Sequence, residues 1–149
     1  MELKRSSNLI YKNLYVHKFI KNFLKKGKKA TIYRIFFILF KQLKSKFSLE
    51  PLVLCLFILD EVKPVIELKS LRLGSMIYQI PFPLSITKQH TRSIKLISKC
   101  IAKQVSNKPL VDKIFNEFIL ILRKESSVLK QKQQAYREAS TNRAFAHFR

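Results

Sequence analysis

The residues of this sequence that could do chemistry are overwhelmingly basic side chains. Lys and Arg number 30 against nine Asp and Glu, which gives a formal net charge of +21 at pH 7. Such an excess repels itself in a compact free protein and attracts polyanions through Coulomb forces and counterion release. The composition therefore predicts that the working form holds a polyanion, either a nucleic acid or an anionic membrane.

Side chains for catalysis or metal binding lack the spacing that those functions require. The three His residues are far apart, and no pair of carboxylates flanks a His or Cys in the sequence. Cys55 and Cys100 form no Cys-x-x-Cys pair and are typical of small buried hydrophobic residues. Only two Gly occur, which excludes a glycine-rich phosphate loop. We expect no enzymatic activity, no metal and no cofactor.

A packed helical core must position the basic residues. The chain has 149 residues, 47% of them hydrophobic, which suits one domain with a core of its own. We predict that Gly27 stops the first helix and that Ser48 caps a short apolar helix running through Ile58. Apolar residues recur at helical spacing in four other segments. These are Val16, Phe19, Ile20, Phe23 and Leu24; Ile32, Ile35, Phe36, Leu39, Phe40 and Leu43; Ile94, Ile97, Ile101 and Val105; and Val111, Ile114, Phe115, Phe118, Ile119 and Leu122.

Residues 65–84 change to a period of two, which predicts a β-hairpin that turns near Gly74. Pro81 and Pro83 have no N–H to donate to a sheet, so their strand is expected at an edge. Residues 126–149 are polar, Gln-rich and basic, which predicts a C-terminal helix that needs a partner surface.

Among polyanions, folded RNA fits the sequence best. No apolar run reaches the roughly 18 residues that span a bilayer, and the apolar stripes are expected to cover one another. No short turn with helix-turn-helix spacing stands out. A basic arm, hairpin and tail suit RNA, which is bound through its shape and backbone. A basic peripheral membrane-binding protein and a DNA-binding regulator remain as alternatives.

Three segments, in order, resemble bacterial-type small-subunit ribosomal protein seven. Residues 62–81 resemble its hairpin signature, residues 139–149 its C-terminal helix, and residues 27–29 the basic turn after its first helix. Leu71, Ser75 and Gln89 depart from the residues that the family usually has. The divergence and the abundance of Lys, Ile, Phe and Asn are most similar to mitochondrial members, with plastid members second.

The resemblance implies a mainly α-helical fold of about six helices with a protruding β-hairpin. A basic N-terminal arm would span residues 1–15 and the helical domain residues 16–149. The resemblance implies binding to the 3′ major domain of small-subunit ribosomal RNA, nucleation of head assembly, and a place near the exit-site transfer RNA and messenger path. It implies neighbours from head protein families nine, thirteen and nineteen and platform protein eleven, with no membrane and no homo-oligomer.

Two sets of residues are expected to carry these contacts. Tyr78 has either a base-stacking role or, as we favour, a packing role on the hairpin. The residues expected at ribosomal RNA are Lys4, Arg5, Lys12, Lys25, Lys26, Lys28, Lys29, Lys69, Arg72, Tyr78, Arg92, Lys95 and Lys99. The residues expected near transfer RNA, messenger RNA or a neighbouring protein are Leu73, Gly74, Ser75, Met76, Arg137, Arg143, His147 and Arg149.

Overall fold

The computed structural model describes residues 13–24 and 26–148. Within these ranges the chain forms a mainly α-helical domain with one antiparallel hairpin, as the sequence predicted. The α-helices are α1 Leu14–Asn22, α2 Lys29–Phe47, α3 Pro51–Val62, α4 Ile86–Lys103, α5 Leu110–Leu122 and α6 Ser127–Thr141. The strands are β1 Ile66–Leu73 and β2 Met76–Pro83, and a 3-10 helix spans Asn142–Phe148.

The apolar stripes converge on α3, which packs against each of the other five described α-helices. Aromatic rings join α1, α2 and α5, because the Phe19 ring centroid lies 5.7 Å from that of Phe36 and 5.9 Å from that of Phe118. All three rings are almost completely buried. Burying a side chain of this size stabilises the fold by about 1.5–3 kcal/mol. The helices are therefore held as one body that can present surface side chains in fixed relation.

Helix ends differ from the sequence-based expectation at two places. Helix α1 ends at Asn22, so Gly27 does not stop it; Gly27 instead lies in the following turn with a φ of 71°. Ser48 does not cap α3 but closes α2, in a left-handed conformation with its N–H donating to Lys44. Pro51 opens α3, and the helix continues beyond Ile58 to Val62 because its buried face extends that far.

The apolar stripe of α4 is shorter than the sequence pattern. Ile94, Ile97 and Ile101 are buried, as expected, but the helix ends at Lys103. Val105 is therefore outside the helix and fully exposed. The apolar pattern in the sequence therefore extends to Val105, whereas the core covers the helix only as far as Ile101.

The hairpin closes at Gly74, which has a φ of 62°, a value that L-residues rarely adopt. Strand pairing runs from Leu73 with Met76 at the turn to Ile66 with Pro83 at the base. The sheet has two strands, so each strand has an open edge and both prolines are accommodated.

Candidate nucleic-acid interface

Helix α4 presents a basic face opposite its buried stripe. Arg92, Lys95 and Lys99 are exposed, at steps of three and four residues that place them along one side of the helix. The 18 residues of α4 correspond to a length of about 27 Å at 1.5 Å per residue. The helix is therefore a straight support for charges that can follow a phosphate backbone.

An ion pair joins the first half of α4 to the base of the hairpin. The Arg92 Nη2 lies 2.7 Å from Glu67 Oε1 on β1. Lys69, on the same strand, has its Nζ 4.8 Å from the centroid of the Phe82 ring. At the turn, the Arg72 Nε–H donates to the Gly74 carbonyl over 3.2 Å. Arg92 therefore joins α4 to the hairpin, and its charge is compensated by Glu67. Lys69 and Arg72 are exposed, and no carboxylate of the described residues pairs with them.

The second half of α4 contacts the end of α1, next to the turn that leads into α2. The side-chain amide of Asn22 donates to the Ser98 hydroxyl over 2.5 Å. A cleft of about 440 Å³ lies beside this contact, with Ile101 in its wall and Lys28 and Lys113 among its lining residues. Lys28 is therefore brought to the end of the same helix that carries the basic face. Its exposed neighbours in the turn are Lys26 and Lys29.

Few of the cations are neutralised within the protein. Among the described residues, the Lys and Arg ion pairs are those of Lys63 with Asp60 and of Arg92 with Glu67. The remaining Lys and Arg side chains of that part of the chain form none within 4 Å. A surface with so many uncompensated cations attracts phosphates and releases their counterions.

The C-terminal segment runs along the hairpin. Near the base, the Val65 N–H donates to the Tyr136 hydroxyl over 2.9 Å. Closer to the turn, the ring centroids of Tyr78 and Phe145 lie 4.7 Å apart. This ring contact favours the packing role for Tyr78 over base stacking. It also joins the two elements that the sequence analysis placed near transfer RNA.

Several of the residues predicted near transfer RNA lie on the hairpin turn or the C-terminal segment, and other predicted residues lie outside the described ranges. Gly74, Ser75 and Met76 at the turn and Arg137 and Arg143 on the C-terminal segment are exposed. Lys4, Arg5, Lys12, Lys25 and Arg149 lie outside the described residues, as do the side chains of Leu73 and His147.

Sequence reasoning missed the buried carboxylate of Glu117. Its Oε1 accepts from the Ser126 hydroxyl over 2.5 Å and its Oε2 from the Gln104 side chain over 2.7 Å. Ser126 in turn caps α6 by accepting from the Val128 N–H over 3.1 Å. Glu117 therefore fixes the segment after α4 to the start of α6. A lone acid within an apolar helical stripe was the signal available in the sequence.

Gln89 also has a structural role. Its side-chain amide donates to the Leu84 carbonyl over 2.8 Å, which fixes the connection from β2 into α4.

Among the described side chains, the His and Cys residues form no group that could hold a metal ion. The Nδ1 of His17 lies 3.2 Å from the Tyr33 hydroxyl, and burial, followed by Lys21 and Lys29, lowers the pKa of His17. Burial raises the pKa of Cys55 to about 12, which keeps its thiol protonated. In the part of the chain that the structure describes, no three His, Cys, Asp or Glu side chains are grouped to hold a metal ion.

No helix among the described residues has the length and apolar character that a bilayer span requires.

Comparison with known proteins identifies the family. The sequence model of the family described as ribosomal protein S7p/S5e matches residues 2–143. The small ribosomal subunit protein uS7 of Syntrophus aciditrophicus is 34% identical over 139 residues, which is 93% of this chain and 88% of that protein. The uS7 protein of Treponema denticola is 32% identical over the same shares of each chain. That of Pelagibacter ubique is 29% identical over 140 residues, 94% of this chain and 89% of the relative. The chain therefore belongs to the ribosomal protein S7p/S5e family, whose members are structural proteins and not enzymes.

Proposed function

We propose that this protein is a structural constituent of the small ribosomal subunit, where it binds the 3′ major domain of the ribosomal RNA. The observation that carries the proposal is the basic face of α4, which the core holds between the hairpin base and the turn before α2. Contacts at Glu67 and Asn22 fix the two ends of this arrangement. Family membership supplies the ribosomal context.

The proposed mechanism is electrostatic positioning. Lys28, Lys95 and Lys99 neutralise phosphates where RNA helices converge, so that a junction is held in one geometry and head assembly can nucleate there. Each contact to phosphate contributes affinity without reading sequence. The basic surface continues on either side of α4, through Lys26, Lys29, Lys69 and Arg72. Arg92 orients α4 relative to the hairpin through its ion pair with Glu67. The same proposal includes the predicted contacts of Lys4, Arg5, Lys12 and Lys25.

The hairpin turn and the C-terminal segment form the second part of the proposal. They would lie near the exit-site transfer RNA and the messenger path, through Arg137, Arg143, His147, Arg149 and residues 73–76. Support comes from the Tyr78–Phe145 contact, which makes the two elements one unit. Neighbouring head proteins of families nine, thirteen and nineteen and platform protein eleven complete the expected surroundings.

We also propose a mitochondrial location, with the plastid as second choice. The support is compositional: the chain is rich in Lys, Ile and Phe and has only two Gly, as expected from an A+T-rich genome.

Sedimentation tests the proposed function. Lysates of isolated mitochondria and of plastids are separated on sucrose gradients, and the chain is followed with an antibody. We expect it in the small-subunit fractions of the mitochondrial lysate and its release to the top of the gradient after ribonuclease treatment. Flotation with anionic liposomes without RNA would support the membrane alternative, and enrichment of one DNA sequence would support the regulator. Either result, or a chain that stays at the top without ribonuclease, contradicts the proposal.

A further inference from the structure

The outer side of α3 is apolar although it faces solvent. Val53 and Phe57, one helical turn apart, are 60% and 56% exposed, and Leu49 just before the helix is 57% exposed. We call these three residues the α3 stripe. The other sides of α3 pack against the neighbouring helices, so its buried face is already used by the core. Val53 and Phe57 share one side of the helix, and Leu49 adds a third exposed apolar side chain just before it; a partner can cover such a surface.

The segment that carries the α3 stripe lies between Lys46 and Lys63 and is itself acidic, unlike the rest of the chain. Residues 48–62 contain three acids, Glu50, Asp60 and Glu61, and no Lys or Arg, in a chain with a net charge of +21. Asp60 pairs with Lys63 over 3.0 Å, but Glu50 forms no ion pair among the described residues. An acidic border repels both RNA phosphates and anionic lipid headgroups. The α3 stripe is therefore unsuited to the polyanion that the basic face attracts.

A second copy of the chain fits the α3 stripe poorly for the same reason. A two-fold contact would place the same patch on both copies, so each acidic border would face another acidic border. Like charges brought together in this way oppose association.

We infer that the α3 stripe is a docking surface for a different protein, one that presents apolar side chains bordered by Lys or Arg. Phe57 would enter the apolar part of that partner, and Glu50 would face its cations, since Asp60 already pairs with Lys63. The contact at α3 would then be between two proteins and would involve no RNA. The basic face of α4 would stay free to bind RNA. The experiment below rests on the proposed function because it uses assembled small subunits.

Photo-crosslinking tests the inference. Phe57 is replaced by p-benzoylphenylalanine in the full chain, small subunits are purified on a gradient, and adducts are identified after irradiation. We expect an adduct with another protein, at an apolar residue that has a Lys or Arg within about one helical turn. An adduct with RNA, with a second copy or with this chain's own N-terminal residues would overturn the inference, as would no adduct at all.

Matched variants separate a specific surface from chance proximity. With the crosslinker at Leu49, changing Val53 and Phe57 to Ser should reduce the protein adduct about tenfold or more, because apolar anchors carry most of the binding energy. Val65→Ser removes an apolar side chain that is 52% exposed but lies off the stripe, and it should leave the yield unchanged. Equal yields in the two variants would refute the inference.

A crosslinker at Lys95 distinguishes the two proposals. An RNA adduct from position 95 together with no protein adduct from position 57 overturns only the docking surface. A chain that does not sediment with small subunits fails the proposed function first.

Discussion

The carboxylate of Glu117 allows a quantitative prediction about stability. It is 1% exposed and accepts hydrogen bonds from Ser126 and Gln104. In Glu117→Ala the two donors lose their acceptor, and an unpaired buried donor costs about 1–3 kcal/mol. The Ser126 hydroxyl is completely buried, and its capping bond supplies no other acceptor, because the hydroxyl oxygen itself accepts in that bond. Gln104 is partly exposed and can bond to water, so we expect a net loss of about 3 kcal/mol. For a chain of this length that loss lowers the melting temperature by about 6–12 °C.

Thermal unfolding followed by circular dichroism measures this prediction. Glu117→Gln is the matched control, since its amide oxygen can still accept one bond, and neutral hydrogen bonds are about half as strong as charge-assisted ones. We expect it to lose less than half of what the Ala variant loses. An Ala variant as stable as the wild type, or a Gln variant equally destabilised, would refute the idea that satisfying these donors is what Glu117 contributes.

Three further predictions follow from the backbone, the thiols and the ion pair. Gly74→Ala places a side chain at a φ of 62° with open space around it, so only backbone strain should lower the free energy of unfolding, by about 1–2 kcal/mol. Chemical denaturation measures this loss as a lower midpoint at an unchanged slope. Cys55 is buried and its pKa is raised to about 12, so it should resist iodoacetamide at pH 8 until the protein unfolds. Cys100 is partly exposed, and although burial also raises its pKa, it should react slowly in the native state, as peptide mapping can check. Arg92→Gln removes a partly exposed ion pair with Glu67 and should cost less than about 1 kcal/mol, measured as a shift of melting temperature below about 4 °C.

The helices and the hairpin could be predicted because their periods are local properties of the sequence. Ile94, Ile97 and Ile101 are buried as their spacing required, and the turn occurs at Gly74. Capping was harder to predict, since Ser48 suits the start of one helix by type but lies at the end of another. The hydroxyl preference at a helix start is worth only about 1 kcal/mol, which the packing of α2 and α3 overrides.

Contacts between distant segments could not be read from the sequence. The Arg92 pair with Glu67 joins residues 25 positions apart, and nothing in either neighbourhood specifies the partner. The same holds for Glu117, which is one acid in an apolar stripe until α6 brings Ser126 beside it. The basic face of α4 was predictable because its residues share one helix. The joining of that face to Lys28 depends on tertiary packing.

The most direct test of the central claim is the salt dependence of binding to a transcript of the 3′ major domain of small-subunit ribosomal RNA. One variant changes Lys28, Lys95 and Lys99 to Ala. Its matched control removes the same charge from the exposed side of α2, at Arg34, Lys41 and Lys44. If the basic face of α4 neutralises phosphates, the slope of log Kd against log salt should fall by about 2–3 in the first variant and by less than about 1 in the control. Equal slopes in the wild type and both variants would contradict the account.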